Sequence, residues 1–425
     1  MKLAVRLLLC VVATTLMLAG LVAWLNVRGE APLPPASVAA SSSVPGSPPG
    51  AADAATLARG AYLAKAGNCA ACHGTSYAGG RGIATPFGSV FSSNLTPDAA
   101  TGIGNWSSAE FWRAMHHGRS KDGRLLYPAF PYTSYTLVTR EDSDAIHAFL
   151  RSLPPVQQAN RRHELRFPYQ YQASLAVWRA LYFRPASFEP DEKQSAEVNR
   201  GGYLVRGLGH CMACHSGRNA LGGSNEDGSG GLIAVQNWYA PSLSSAREAG
   251  VAAWSTADVV SLLKTGRSPQ GTVTGPMAEV VFRSTQHLAV EDLQAMAKYL
   301  QSLPPSTSRP VGNKLADPAV RTLGAKVYEQ HCASCHGKQG EGAHALYPPL
   351  AGNRAVSLDS PVNLIQMVLQ GGFAPSTAGN PRPFGMPPFR QTLSDSEVAA
   401  VVSHLRQSWG HKASAVSALE VLRVR

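Results

Sequence analysis

The chain has 425 residues, of which 44% are hydrophobic, so it can form two to four domains that each bury a small core. Its formal net charge is +11, but the basic residues are scattered and no long run of lysine and arginine occurs. This distribution argues against nucleic-acid binding, and a mildly basic surface facing an acidic protein or an anionic lipid explains the charge as well. Six of the seven cysteines lie in three short motifs and the seventh is Cys10, so none remains for a structural disulfide.

The first element is an apolar segment with a positively charged start. Lys2 and Arg6 precede an uncharged, mostly apolar run from Leu7 to Leu25, which is long enough to cross a bilayer and long for the core of a signal peptide. We therefore expect residues 1–29 to be an uncleaved membrane anchor. The positive flank then stays in the cytoplasm, and the rest of the chain lies on the periplasmic side of the cytoplasmic (inner) membrane.

The alternative for this segment is a cleaved signal peptide, which also exports the chain. Ser37-Val38-Ala39 offers a small-x-small site, although it lies far past the apolar run. The site falls within residues 30–52, which are rich in Pro, Ala, Ser and Gly and contain almost no large apolar residue. This composition predicts a flexible linker.

One five-residue motif, C-x-x-C-H, then occurs three times. The copies are Cys69-Ala-Ala-Cys72-His73, Cys211-Met-Ala-Cys214-His215 and Cys332-Ala-Ser-Cys335-His336. This spacing is the attachment signature of c-type haem, because two thiols about one helical turn apart can each form a thioether to one haem. The adjacent histidine then meets the iron as its proximal ligand. A structural zinc site or a redox C-x-x-C is the alternative, and three copies with a histidine in the same place argue against it.

The motifs therefore predict three covalently bound haem c groups. Since haem is attached to thiols outside the cytoplasm, they also imply export. The predicted thioether ligands are Cys69, Cys72, Cys211, Cys214, Cys332 and Cys335. The predicted proximal iron ligands are His73, His215 and His336.

A common helical pattern surrounds the motifs. A short amphipathic helix leads into each one, and a loop rich in Gly and Pro follows. The next helix begins at Ser107 in the first unit and at Ser255 in the second, each a typical N-cap. In all three units this helix is predicted to stop at a glycine, namely Gly118, Gly266 and Gly371.

A closing helix completes each unit, predicted over residues 143–153, 291–303 and 394–408. The sequence Ser-Leu-Pro-Pro follows the first two of these helices and marks the unit boundaries. We thus predict three domains at residues 53–195, 196–306 and 307–425, the last of which includes a C-terminal tail. Strand signals are weak, so the expected fold class is all-α, with three tandem domains like class I cytochromes c after the N-terminal anchor. The tail after Trp409 is predicted to be an amphipathic helix that docks on a partner or on the membrane, with a frayed terminus as the alternative.

A haem that only carries electrons usually has a second axial ligand, often methionine. The second unit offers Met277 in Gly275-Pro276-Met277, and the third offers Met386 in Gly385-Met386-Pro387-Pro388. Both lie in loops rich in Pro and Gly just before the closing region. Methionine also fills gaps in cores, but in such a loop it has less reason to do so.

The first unit departs from this pattern, because Phe130 stands where a methionine is expected and phenylalanine does not bind iron. The tentative sixth ligands of this haem are Met115, His116 and His117, and the other expectation is that it lacks a strong protein ligand. Met115 is the nearest methionine but is predicted to belong to the core. His116 or His117 would make the first haem bis-histidine. The alternative is that both are exposed histidines favoured by the C-terminal end of a helix dipole.

From Arg59 to about Gln407 the chain resembles the three-haem cytochrome c subunits of membrane-bound periplasmic dehydrogenases. Besides the three motifs and the two methionines, the resemblance rests on several short segments of the first unit. These segments are residues 68–74, 93–98, 101–104, 117–118, 126–129 and 131–132. It implies a non-catalytic subunit that passes electrons from a catalytic dehydrogenase subunit to ubiquinone in the membrane or to a terminal oxidase.

The catalytic partner implied by this resemblance falls into two classes. Quinoprotein alcohol dehydrogenases and flavoprotein sugar dehydrogenases carry PQQ or FAD, and their cytochrome subunits have methionine where this chain has Phe130. The segment Gly123–Phe130 is more similar to the cytochrome subunits of molybdenum hydroxylases of the aldehyde, isoquinoline and nicotinate type. The resemblance therefore favours a subunit with molybdopterin and [2Fe–2S] clusters.

Two competing functions are kept as hypotheses. A haem peroxidase would use the first haem as an open site, with His116 or His117 as the acid–base residue. A freely diffusing periplasmic carrier would need the N-terminal segment to be cleaved. The anchor-like N-terminus argues against the second of these.

Overall fold

The computed structural model describes residues 2–33, 52–233, 235–306, 312–343 and 346–425. Most of the predicted linker, with the small-x-small site at 37–39, lies outside the described residues. The described chain is mainly helical, as predicted, and it adds nine strands of two to four residues to the expected all-α pattern. It divides into two compact units, and the boundary falls within the segment that carries the first C-x-x-C-H motif.

The first unit comprises Met1–Ala64, Cys72–Glu189 and Asn219–Ser224. The first seven helices of the chain are α1 (Lys2–Val27), α2 (Ala54–Ala66), α3 (Cys69–His73), α4 (Ser108–His117), α5 (Tyr132–Tyr135), α6 (Arg140–Arg151) and α7 (Gln172–Tyr182). A small antiparallel sheet has the order β1 (Gly82–Thr85), β2 (Gly88–Phe91) and β3 (Glu164–Leu165). In its register Gly82 pairs with Phe91, and Gly88 pairs with Leu165.

The second unit comprises Lys65–Ala71, Pro190–Arg218 and Asn225–Arg425. Its helices are α8 (Ala196–Tyr203), α9 (Met212–His215), α10 (Thr256–Thr265), α11 (Pro276–Arg283), α12 (Val290–Gln301), α13 (Pro318–His331), α14 (Ala333–His336), α15 (Val362–Gln370), α16 (Asp395–Gln407) and α17 (Ala418–Val424). Three antiparallel hairpins are formed by β4 (Gly231–Ile233) with β5 (Trp238–Ala240), β6 (Arg267–Ser268) with β7 (Gly271–Thr272), and β8 (Gly372–Phe373) with β9 (Gly385–Met386).

The predicted helix signals are confirmed. Ser107 caps α4 in a reciprocal capping box with Glu110, and Ser255 caps α10. Gly118 and Gly266 end these helices in the left-handed region, where glycine has no Cβ to clash. The closing helices α6, α12 and α16 lie within a few residues of their predicted bounds.

The same helix crossing occurs three times and depends on a glycine in the helix before each motif. A Cβ on Gly60 of α2 would lie 2.0 Å from the carbonyl oxygen of Ala145 in α6. A Cβ on Gly201 would lie 1.9 Å from the carbonyl oxygen of Ala295, and a Cβ on Gly324 would lie 2.3 Å from the carbonyl oxygen of Ala400. The leading and closing helices therefore touch backbone to backbone in each repeat, which only glycine permits.

The C-terminal tail forms a helix rather than a frayed end. It follows Ser417, which forms a capping box with Glu420. Val416 and Val421 are buried in the core of the third repeat, and Arg425 pairs with Asp395 of α16. The tail thus packs on its own domain, and the frayed-terminus alternative is wrong. Its docking on a partner or on the membrane stays a prediction.

The N-terminal helix α1 is long and apolar enough to cross a membrane, and its residues are mostly exposed. Its last turn is bonded to the first unit. Asn26 Nδ2 donates to the carbonyl oxygen of Ala176 at 2.9 Å, and Arg179 Nε donates to Asn26 Oδ1 at 2.9 Å. Just beyond the helix, Glu30 forms an ion pair with Arg119 at 2.9 Å. These polar contacts favour an anchor that stays attached to the folded chain.

The glycine crossing gives a stability prediction. We expect Gly324→Ala to destabilise the third repeat by about 1–3 kcal/mol, because the added methyl overpacks the α13–α16 contact. In a helix without this contact, alanine would instead be favoured by up to about 1 kcal/mol. The measurement is the denaturant midpoint of the full chain. Gly379→Ala is the matched control, since a Cβ there meets nothing within 4 Å, and equal stability of the two variants would contradict the prediction.

Candidate haem centres

Each C-x-x-C-H motif forms or caps a short helix within a few residues of the end of the glycine-bearing helix or of the turn that follows it. These motif helices are α3, α9 and α14. Before the second motif, residues Leu204–Leu208 form a π-helical turn, a feature that is frequent at functional sites. In the second and third motifs burial raises the pKa of the first thiol, and the second cysteine lies close enough to raise it further, Cys214 at Cys211 and Cys335 at Cys332. The geometry therefore presents paired thiols one turn apart in front of a histidine, as attachment to one group requires.

The three motif histidines are held in the same way. His73 Nδ1 lies 2.7 Å from the carbonyl oxygen of Ser93. His215 Nδ1 lies 2.7 Å from the carbonyl oxygen of Pro241, and His336 Nδ1 lies 3.0 Å from the carbonyl oxygen of Pro348. A carbonyl accepts a hydrogen bond, so Nδ1 carries the proton and Nε2 keeps its lone pair. This is the tautomer that a proximal ligand needs, and the hydrogen bond also fixes the plane of the ring.

Burial also favours the neutral form of these rings, because it lowers the pKa of His73, His215 and His336. A neutral imidazole is the form that binds iron.

The carbonyl partners of these histidines could not be found from the sequence. They lie 20, 26 and 12 residues after their histidines, so no common spacing identifies them. They are also backbone atoms, which any residue type supplies. Only the path of the loop after each motif brings them to the ring.

The zinc and redox alternatives do not fit the structure. Among the residues that the structure describes, no group of three His, Cys, Asp or Glu side chains could hold a metal ion. A reactive redox thiol has a lowered pKa, whereas burial raises the pKa of Cys211 to about 12 and that of Cys332 to about 11. Paired thiols with an oriented histidine fit covalent haem better than either alternative.

The two predicted methionine ligands are both half buried, but neither lies in a loop, and that part of the prediction is wrong. Met277 lies in the first turn of α11, after Gly275, which packs against the ring of Trp238. Met386 lies in β9 and packs against the core of the third repeat. A Cβ on Gly371 would lie 2.2 Å from the carbonyl oxygen of Met386, so the end of α15 holds this strand closely. The assignment of both as iron ligands stays a prediction.

In the first repeat, the structure places Phe130 half buried against Tyr135, with ring centroids 5.3 Å apart. Met115 is buried on α4, as a core residue should be. His116 and His117 are both more than nine-tenths buried. The alternative that they are exposed residues at a helix end is therefore wrong.

The two histidines have different surroundings. His116 stacks on Trp112 at 4.3 Å, and its Nδ1 has no hydrogen-bond partner among the described residues. His117 offers its carbonyl oxygen to Arg179 at 2.7 Å. Burial lowers the pKa of both to about 4, with smaller contributions from His117 at His116 and from nearby arginines at His117. Both imidazoles are therefore neutral at physiological pH.

Sequence analysis missed a third buried histidine in this repeat. His147 lies on the closing helix α6 against Phe111, and its Nε2 has no hydrogen-bond partner among the described residues. Burial lowers its pKa to about 4. The equivalent positions on the other closing helices are Ala297 and Val402, so comparison of the repeats could have signalled it.

The buried carboxylate of Glu248 supports His215, the histidine of the second motif, indirectly. Glu248 is 7% exposed, and its oxygens accept hydrogen bonds from Tyr239 Oη at 2.9 Å and from the backbone N–H of Ser242 at 2.5 Å. These donors flank Pro241, whose carbonyl oxygen holds His215. Glu248 therefore clamps the loop that orients this ring. Burial raises the pKa of its carboxyl group.

We expect Glu248→Gln to raise the midpoint potential of the second haem, because it removes a negative charge that stabilises ferric iron. In the unmodified chain this potential should fall as pH rises through the raised carboxyl pKa, because ionisation adds that charge. Glu248→Gln should flatten this dependence. Spectroelectrochemical titration over a pH series measures both effects. Glu291→Gln, an exposed change on α12, is the control, and identical profiles for the two variants would contradict the prediction.

Comparison with known proteins agrees with this geometry. The family profile for cytochrome c matches residues 57–154 and 322–409. The chain is 39% identical to the cytochrome c subunit of alcohol dehydrogenase (quinone) from Komagataeibacter europaeus, over 88% of this chain and 85% of that protein. It is 38% identical to the gluconate 2-dehydrogenase cytochrome c subunit from Pantoea cypripedii, over 88% of this chain and 90% of that protein.

A third relative has a different substrate in its name. It is a nicotinate dehydrogenase subunit from Pseudomonas putida, 41% identical over 85% of this chain and 31% of its own length. The alignments to these relatives cover 85% to 88% of this chain. The cysteines and histidines of the motifs are arranged to hold haem. This protein belongs to the family of cytochrome c subunits of dehydrogenase complexes.

Proposed function

We propose that the chain carries electrons from a catalytic dehydrogenase subunit, through three covalently bound haem c groups, to ubiquinone in the membrane, with a terminal oxidase as the alternative acceptor. The observation that supports three centres is the repeated geometry of His73, His215 and His336. Each has Nδ1 on a backbone carbonyl and Nε2 left for iron. The profile matches two regions of the chain, and the second motif shares the same arrangement with the other two.

When bound, each haem supplies one-electron chemistry by cycling between ferric and ferrous iron. The residues of the chain orient the centre and set its potential. The two cysteines of a motif would hold the haem covalently, and the histidine would bind its iron. No proton has to move at the motif histidines, because their Nδ1 proton is already committed to a carbonyl.

We propose three cytochrome c domains at residues 53–195, 196–306 and 307–425. The recurrent glycine crossing supports this division, since one glycine before each motif meets one alanine of each closing helix. Each of the first two crossings also has an ion pair between its leading and closing helices. These pairs are Arg59 with Asp142 and Arg200 with Asp292. One leading helix, one motif and one closing helix form the smallest unit that repeats.

For the sixth iron ligands we propose Met277 and Met386 in the second and third domains. The first domain has no methionine in the corresponding loop. His116 or His117 is proposed there, since both are neutral and buried. Without a strong methionine ligand the first haem should have the lowest potential, because methionine ligation raises it.

A redox titration tests the ligands. We expect Met277→Leu and Met386→Leu each to lower the potential of one haem, because the thioether ligand is lost. Met296→Leu and Met367→Leu are matched controls on α12 and α15 of the same domains. The redox transition whose midpoint potential neither ligand variant changes is assigned to the first haem. We expect it to be the lowest of the three, and finding it highest would overturn the ligand proposal.

The partner that we propose is a molybdenum hydroxylase subunit with molybdopterin and [2Fe–2S] clusters. The departure at Phe130 and the similarity to the nicotinate dehydrogenase relative support it. The alcohol and gluconate dehydrogenase relatives favour the alternative, a quinoprotein or flavoprotein partner with PQQ or FAD. In both cases the complex is placed on the periplasmic face of the inner membrane, held by α1.

Purification of the tagged chain from native membranes in mild detergent tests the function and the partner together. We expect the intact mass to include three haem groups and the co-purified protein to contain molybdenum and [2Fe–2S] clusters. PQQ or flavin in the co-purified protein would instead identify the alcohol or sugar dehydrogenase branch. Recovery of the chain without a partner from the soluble periplasm would overturn the proposal and favour a diffusing carrier.

A further inference from the structure

Helix α7 is fixed beside the end of the apolar helix α1. The carbonyl oxygen of Ala176, in the middle of α7, accepts a hydrogen bond from Asn26, the residue directly after the apolar run Leu7–Leu25. Arg28 donates to the carbonyl oxygen of Phe183, at the end of α7, at 3.4 Å. If α1 spans the bilayer, these bonds place α7 at the level where the hydrocarbon gives way to headgroups.

The inner side of α7 is locked into the first unit. Leu175 and Ala180 are buried, and Arg179 is only 2% exposed. The Arg179 guanidinium lies over the ring of Tyr132 at 4.9 Å, and its Nη2 donates to the carbonyl oxygen of His117. Trp178 Nε1 donates to the carbonyl oxygen of Leu221. The helix therefore cannot rotate to bury its other side.

That other side is apolar and exposed. Ala173, Val177 and Leu181 are four residues apart, so they form one stripe, and the stripe contains no charge. Val177 is 48% exposed and Leu181 is 56% exposed. The only charged residue of α7 is Arg179, which is on the buried side. This is the pattern of a helix that lies on an apolar phase.

Two aromatic residues and two arginines frame the stripe. Phe167 is 78% exposed and Tyr171 is 53% exposed just before α7, and their ring centroids are 6.2 Å apart. Arg166 and Arg184 flank this region on either side, both exposed. Aromatic side chains are enriched at the membrane surface, and arginines there meet lipid phosphates.

We infer that Phe167, Tyr171, Val177 and Leu181, here called the interface face, insert into the periplasmic leaflet of the inner membrane. Lipid is favoured over a protein partner because α7 is bonded to the helix that enters the bilayer, so the face and the anchor reach the same depth. The inference rests on the proposed anchor. It adds a second attachment, which holds the first unit and its haem motif histidine His73 at a fixed height above the membrane.

Thiol protection in vesicles tests this inference on the full chain. The background variant is Cys10→Ser, in which the six motif cysteines are blocked as haem thioethers. Val177→Cys and Leu181→Cys are introduced separately, and each protein is reconstituted into vesicles of phosphatidylcholine and phosphatidylglycerol. A membrane-impermeant maleimide is added, and the labelled fraction is followed by mass. Glu141→Cys, an exposed change on α6 of the same unit, is the control and reports how much protein faces outwards.

We expect both interface-face thiols to react roughly tenfold more slowly than the Glu141→Cys thiol, and to react fully after the vesicles are dissolved and the protein is unfolded. Equal rates in vesicles would overturn the inference, and protection that appears only when the dehydrogenase complex is present would assign the face to the protein partner. Failure of the proposed function is distinguishable. Extra labelling of the background variant would show that haem is not attached, and release of the chain from the vesicles would show that α1 is not an anchor.

Discussion

The contact on which the rest of the structure depends is the backbone-to-backbone crossing of two helices at a glycine. At Gly60, Gly201 and Gly324 the leading helix lies so close to the closing helix that a methyl group would overlap a carbonyl oxygen. The motif follows directly from the leading helix in each case, so the crossing sets where the cysteines start. The loop after the motif then returns past the histidine and offers it a carbonyl. One close contact thus helps to position both the thiols and the nitrogen proposed to bind iron.

On this common frame the three repeats differ in their polar environment. The second repeat has a buried carboxylate, Glu248, behind the loop that holds its histidine. The first repeat instead buries His116, His117 and His147, and Arg179 donates a hydrogen bond to the carbonyl oxygen of His117. A negative charge near a bound haem would lower its potential and a cationic group would raise it, whereas neutral histidines add no net charge. The low potential proposed for the first haem rests instead on its lack of a methionine ligand. A family that carries electrons through several similar centres can separate their potentials in this way without changing the fold.

In the proposed arrangement the first repeat also connects the chain to the membrane. Asn26, Arg28 and Glu30 use polar groups to join the end of α1 to α7 and to Arg119. An apolar helix alone would leave the orientation of the domain unrestrained, because apolar contacts with lipid are not directional. The hydrogen bonds give the anchor an orientation relative to the domain. The proposed delivery of electrons to a membrane acceptor would benefit from such a fixed approach.

Sequence alone determined the features that depend on local chemistry. The C-x-x-C-H spacing, the serine caps, the stop glycines and the apolar run each act within a few residues, so their predicted positions were confirmed in the structure or stayed within a few residues of it. The sequence did not distinguish exposed from buried for His116 and His117. It also did not identify Ser93, Pro241 and Pro348 as acceptors, or Glu248 as a clamp. These properties join residues far apart in the chain, and several involve backbone atoms that every residue has, so only the tertiary structure decided them.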